Sequence, residues 1–231
     1  MKKHISVAAL TLRLTWVRAL GLFAAVGVLQ WLLTPDAGTM AGYQEYIRNA
    51  ARIGRGGILV LLILMTTSLG GSQTSHTWRR LRIPEGRATV ISGLVISGWF
   101  FLYWAFQLSA CLVLYFRYNE LHQFGTEYLM LSAFREEYLH FLLPIGEPWA
   151  AAWIVTRYLL AGNLASQAAR RSRNGNTYGR GFFYSMFFLP DLWRGGELAS
   201  LRMDIWGIVC GILLTIAIWD SDRRWMKHEA P

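Results

Sequence analysis

Four groups of residues in this chain have types and spacings that chemistry uses. The first is His122 with Glu136, Glu137 and His140. Glu137 and His140 stand at i, i+3, one face of a helix, the arrangement by which a bundle-bound di-iron centre takes a carboxylate and an imidazole from one helix. Such a centre needs two pairs and two further glutamates. The chain has one pair, so a solvated polar face is the simpler reading and no metal ligand is assigned. The second is Arg157, a guanidinium within an apolar stretch. A charge buried in lipid costs several kcal/mol, which makes Arg157 a candidate for a substrate path; the side chain is also long enough to snorkel to the nearer membrane surface. Glu147 lies ten residues earlier, about 15 Å along a helix and on another face, too far to pair with it directly. The third is Thr66, Thr67 and Ser68, hydroxyls with no base at a recognisable spacing, expected to bond back to helix carbonyls. No nucleophile elbow, His-Glu-x-x-His or glycine-rich phosphate loop occurs, so no catalytic residue and no cofactor is assigned, and an intramembrane enzyme has little support.

The fourth group is the segment Ser75-His76-Thr77-Trp78-Arg79-Arg80-Leu81-Arg82-Ile83-Pro84-Glu85-Gly86-Arg87. It threads the apolar Trp78, Leu81 and Ile83 through four arginines. Trp78 and Leu81, three apart, face one way on a short helix, and Pro84 ends it. Two uses fit this composition. The apolar residues can lie on lipid headgroups while the arginines orient the chain, or they can form an apolar knob with a basic rim that docks into a groove on a soluble partner.

The elements that must position these groups are hydrophobic stretches, roughly Thr15 to Leu33, Gly56 to Ser72, Ala88 to Phe116, Phe141 to Leu164, Gly181 to Trp193 and Ile205 to Trp219. A hydrocarbon core of about 30 Å takes about 20 helical residues, so the first, third and fourth are long enough and the sixth nearly so. The second and fifth are short. Between the stretches sit four basic patches: Lys2, Lys3, Arg13 and Arg18; Arg79, Arg80, Arg82 and Arg87; Arg170, Arg171, Arg173 and Arg180; and Arg223, Arg224 and Lys227, together 15 of the 23 Lys and Arg residues. With six spans all four patches fall on one side, which the positive-inside rule makes cytoplasmic, with both termini inside. In this 231-residue chain, 54% hydrophobic with a net charge of +9, the basic residues border the spans, so they orient the chain and contact anionic lipid rather than nucleic acid.

Residues 1–14 read as a cytoplasmic interfacial helix that is retained, because Arg13 and Arg18 interrupt the apolar run that a signal peptide needs. Thr34 to Arg55 reads as an external loop holding a helix from Tyr43 to Arg52, and 117–140 as a second external loop. Trp16, Trp31, Trp99, Trp104, Trp149, Trp193, Trp206 and Trp219 read mostly as interface anchors. Cys111 and Cys210 both lie within expected spans and support neither a disulfide framework nor a zinc site. The fifth stretch holds Pro190 and is either a crossing with local thinning or a re-entrant element. The fold class expected is all-α: one polytopic membrane domain over 1–231 with about six transmembrane helices and an irregular or re-entrant element before the last.

The layout of a basic N-terminal stretch, a span, an external loop, a second span, a cytoplasmic Thr-x-x-x-Leu-x-Ile-Pro-x-x-Arg segment and a long third span resembles permease subunits of type-two ABC exporters. The resemblance implies that 73–87 is a coupling loop seated on an ATP-binding subunit, with Leu81, Ile83, Pro84 and Arg87 at the family's positions, Trp78 as an added anchor, and Arg79 and Arg82 in the basic rim. The broken stretch around Leu189, Pro190 and Asp191 is similar to the external half-helices of that family. It further implies a homodimer or a heterodimer with a second permease, in the cytoplasmic membrane. No Gly-x-x-x-x-Gly-Lys-Ser/Thr occurs, so ATP is expected to be hydrolysed on a partner chain. The alternatives are a small membrane protein that is not an ATP-driven transporter (a sensor, an assembly factor or a complex anchor), or an ion-coupled carrier, which is expected to show mid-span acids or an inverted repeat.

Overall fold

A computed structural model of the chain describes residues 2–32, 40–71, 78, 83–122, 142–144 and 146–173, with the single positions 209, 212 and 216. Among the described residues the protein is all helical: α1 (Lys2–Leu32), α2 (Met40–Gly70), α3 (Glu85–His122) and α4 (Pro148–Arg173). Three apolar segments, His4–Leu32, Ile47–Gly70 and Glu85–Val113, are long and apolar enough to cross a membrane. This is the composition of a helical membrane protein. The fifth expected stretch lies outside the described residues; in the sixth, Val209, Ile212 and Ile216 are helical and exposed.

Each helix is longer than its apolar stretch. α1 begins at Lys2, so the expected interfacial segment and the first span are one continuous helix. α2 begins at Met40, so the helix expected over Tyr43 to Arg52 continues into the second span without a loop. The glycines at 54, 56 and 57 do not break it, and a neighbour uses the space at Gly54 and Gly57. The Tyr103 hydroxyl donates to the Gly54 carbonyl at 2.9 Å, and a Cβ on Gly57 would collide with that hydroxyl. α4 begins seven residues after Phe141: Pro144 and the left-handed Gly146 (φ 81°) form a turn, and Pro148 takes the first helical position, where a missing N–H costs nothing.

The helices form a ring in the order α1, α2, α4, α3, with α2 and α3 closest across the diagonal. Polar pairs fix the directions. Thr11 meets Ser92 (3.1 Å) and Gln30 meets Gln107 (2.7 Å), so α1 and α3 run parallel. Ser166 donates to the Thr89 carbonyl (2.9 Å) and Ser97 to the Leu159 carbonyl (3.3 Å), so α3 and α4 are antiparallel. The start of α1, the end of α2, the start of α3 and the end of α4 therefore share one end. Arg87, Arg170, Arg171 and Arg173 gather there, as the alternation of charge with apolar stretches requires.

The interior is aromatic on the α1/α3 side. Phe23 stacks on Phe106 (5.5 Å between centroids) and meets Trp99 edge-on at 6.2 Å. Trp99 is not an interface anchor; it is buried and its Nε1 donates to Thr15 Oγ1 at 2.9 Å. Trp16, Trp31 and Trp149 are about half exposed, as anchors are. On the α4 side packing depends on small residues. Gly93 and Ser97 on α3 face Gly162 and Ser166 on α4, the small-xxx-small spacing that lets backbones approach closely in lipid.

Gln30 and Gln107 are both nearly fully buried, and Gln30 Nε2 also donates to the Ala50 carbonyl at 3.2 Å, joining three helices. Replacing Gln107 alone with leucine is expected to cost about 1 kcal/mol. The double change Gln30→Leu/Gln107→Leu is expected to recover most of it, since no amide is then left to satisfy. Thermal unfolding of the four proteins of this cycle in detergent is the measurement.

Candidate coupling site at the charged end of the bundle

The segment between α2 and α3 is described at Trp78 and from Ile83 onward; Arg79, Leu81 and Arg82 lie outside the described residues. Trp78 does not stand out as a free knob. It is half-buried against the core that includes Leu69 and Met65, and its indole nitrogen is enclosed with no hydrogen-bond partner among the described residues. The Arg173 guanidinium carbon lies 4.6 Å from the centre of the Trp78 ring, a cation–π contact. An indole between apolar helices and a partly desolvated guanidinium gains more from its own chain than from protruding into water. Ile83 is half-buried, while Pro84 and Arg87 are exposed, so among the described residues of this site the outward-facing part begins at Pro84.

The last turn of α4 ties three helix ends together. Arg173 donates through a terminal nitrogen to the Leu69 carbonyl (3.0 Å), and Ser172 Oγ donates to the Gly70 carbonyl (3.2 Å). These are carbonyls that the end of α2 leaves without intrahelical donors, and cations are favoured beside them. Arg170, itself buried, places Nε 3.5 Å from Glu85 Oε2, and Glu85 sits in the first turn of α3, where a carboxylate is favoured. The Pro84 carbonyl accepts from the Ala88 amide at 3.2 Å, starting α3 directly after the proline.

Burial lowers the Arg173 guanidinium to about 10, with Glu85 raising it and Arg170 lowering it further. It stays charged at neutral pH. The unfolded chain holds this proton up to higher pH than the folded one, so the resulting gain in stability with pH begins only above about 10 and leaves the neutral range flat.

Arg157 is 5% exposed, on the inward side of α4, with its guanidinium carbon 4.8 Å from the centre of the Trp153 ring. It lies 16 residues before Arg173 on the same helix, about 24 Å from the charged end, and is not part of that cluster. Its neighbour Tyr158 stacks on Phe100 (6.2 Å) and meets Phe101 edge-on (5.5 Å).

Thr66, Thr67 and Ser68 each donate to the carbonyl four residues back, at 2.8, 2.9 and 2.5 Å, as their lack of a base implies. Ser68 Oγ also accepts from Arg18 at 2.8 Å, a contact across 50 residues that no spacing rule announces. Glu136, Glu137 and His140 lie outside the described residues, as does the side chain of His122; among the described residues no three His, Cys, Asp or Glu side chains converge on a possible metal position. The Arg173 and Arg170 contacts could not be read from the sequence either, because the third patch sits about 85 residues from the segment it holds. No family model, no curated protein and no solved structure matches this chain.

Proposed function

We propose that the chain is the membrane-spanning permease subunit of an ATP-driven exporter of the cytoplasmic membrane, coupled to a separate ATP-binding subunit through residues 75–87. The charged end of the bundle then faces the cytoplasm, where the positive-inside rule puts it. Supporting this reading is the attachment of that segment. Trp78 is held under Arg173, Glu85 is paired with Arg170, and the end of α2 is bonded to Ser172 and Arg173. A load applied at Trp78 or Glu85 reaches α2, α3 and α4 together. The docking face comprises Leu81, Ile83, Pro84, Arg87 and the arginines at 79 and 82, with Trp78 as the inner anchor that transmits the load.

The inward turn of Trp78 also favours a second reading, a small membrane protein without an ATP-binding partner, in which the arginines only orient the helices. Affinity purification from the native membrane separates the two. The permease reading expects an ATP-binding subunit to co-purify with the wild-type chain. The double substitution Leu81→Asp/Arg87→Glu is expected to lower that recovery at least tenfold while leaving the melting temperature of the membrane protein nearly unchanged, Arg87 being exposed. Absence of such a subunit from the wild-type preparation, or its undiminished recovery with the variant, rejects the permease reading.

A further inference from the structure

On the outer side of the seam between α3 and α4 the exposed residues are apolar. Val90 and Leu94 of α3 stand one turn apart and are exposed, Leu94 to 61%; Val155 and Leu159 do the same on α4, Leu159 to 42%. Both pairs border the seam: the Leu159 carbonyl accepts from Ser97, and Leu94 follows Gly93, which packs against Asn163. One turn beyond Leu159 is Asn163, half-buried, its Oδ1 enclosed and without a hydrogen-bond partner. A Cβ on Gly93 would come within 3.4 Å of that oxygen, so the amide lies against α3 eight residues into the apolar segment Glu85–Val113. That is about 12 Å in from the charged end. Acyl chains offer an amide no partner at such a depth, and polar side chains on spans bond across to another helix instead.

The outward faces of the other two helices carry charge. α1 exposes Arg13 and Arg18, and α2 exposes Arg48 and Arg52. α3 has no charged residue from Ala88 to Phe116, and on α4 Arg157 and Arg170 are both buried. Copies of one chain inserted the same way meet about a two-fold axis along the membrane normal, so a residue near that axis faces itself at equal depth. An arginine there opposes its own copy. An amide, which both donates and accepts, bonds to its own copy.

We infer that the outer face of α3 and α4 binds a second copy of this chain, with Val90, Leu94, Val155 and Leu159 packed across a two-fold axis and the two Asn163 amides paired near it. Such a dimer needs no ATP-binding subunit and is compatible with either reading of the function. Removing the amide pair removes two interhelical hydrogen bonds, which corresponds to a dissociation constant raised about tenfold.

The test uses the purified full-length chain in phosphatidylcholine vesicles, with the dimer fraction read from single-molecule photobleaching steps over a range of protein-to-lipid ratios. The wild-type chain is expected to dimerise. Asn163→Leu is expected to raise the dissociation constant about tenfold while leaving the melting temperature of the monomer unchanged, and Asn163→Gln, which keeps the amide, to recover most of the affinity. Disulfide formation locates the contact. In a Cys111→Ala/Cys210→Ala background, Leu159→Cys is expected to link two copies on mild oxidation, and Leu20→Cys, 48% exposed on α1, is not. A wild-type chain that stays monomeric at every ratio overturns the dimer. Undiminished association of Asn163→Leu, or cross-linking through Leu20→Cys in place of Leu159→Cys, overturns the face. Capture of a different protein by Leu159→Cys in the native membrane, with no linked copy of this chain, overturns the second copy as the occupant.

Discussion

Gly162→Ala is expected to destabilise the protein by about 2 kcal/mol, and Gly162→Leu by at least about 3 kcal/mol, enough to lose the assembled bundle. A Cβ at this position would lie 2.5 Å from both the Gly93 carbonyl oxygen and the Ser97 amide nitrogen, and closer still to the Ser97 hydroxyl. Two of those atoms are backbone, so no rotamer change relieves the clash; α3 and α4 must separate. Separation stretches the Ser166 bond to the Thr89 carbonyl and the Ser97 bond to the Leu159 carbonyl, which in lipid have no water to replace them. Ser97→Gly is therefore not expected to rescue Gly162→Ala. Gly98→Ala is the control: nothing lies within 4 Å of that Cβ, and the better helix propensity of alanine makes the change neutral or stabilising by up to about 1 kcal/mol. Thermal unfolding in detergent, with size-exclusion chromatography to detect loss of the monodisperse species, orders the four variants against the wild type.

This contrast between two glycines illustrates what was legible in the sequence. Composition and periodicity suffice to expect helices, apolar stretches and a shared charged end, because each depends on residues near one another in the chain. The partner of a glycine is not local. Gly98 and Gly162 look alike in sequence and differ only in whether another helix passes over them. The same limit bears on α2: the sequence reads as an external loop to Arg55 and a span from Gly56, and only the fold shows Tyr103, on another helix, taking the space at Gly54 and Gly57 of one continuous helix. It explains Trp99 too, whose position in the third stretch suits a membrane interface but whose indole finds Thr15 inside the bundle.

The coupling segment is a harder case. Its composition was legible; the orientation of Trp78 was not, because it depends on Arg173, a residue that as part of a basic patch reads only as an orientation signal. The third patch thus divides. Arg170 and Arg173 face inward and hold helix ends, while Arg171 is half-buried beside them. Counting charges gives an expected orientation, and only the fold distinguishes a charge that faces outward from one that staples α4 to α2 and α3.

Arg173→Ala is accordingly expected to cost about 3 kcal/mol and to release the segment it holds. The charge-assisted bond to the Leu69 carbonyl contributes about 1.5–3 kcal/mol, and the stack on Trp78, partly desolvated, about 1 kcal/mol; the two share one side chain and do not add fully. Arg173→Lys retains the charge but not the planar group that can face the ring and reach the carbonyl together, so it is expected to recover less than half of the loss. Hydrogen exchange locates the effect: the amides from Ala88 to Val90, the first that are hydrogen-bonded in α3, are expected to exchange faster, whereas those of α3 around Tyr103 are not. A uniform rise along all four helices would instead mean general loosening and would remove the staple from the argument. The same variant separates anchoring from docking. In the permease reading, Arg173→Ala leaves Leu81, Ile83 and Arg87 available to the ATP-binding subunit, so the partner still co-purifies while its stimulated ATPase falls several-fold; loss of the partner together with the stimulation would show that Arg173 serves the docking face itself and not the transmission behind it.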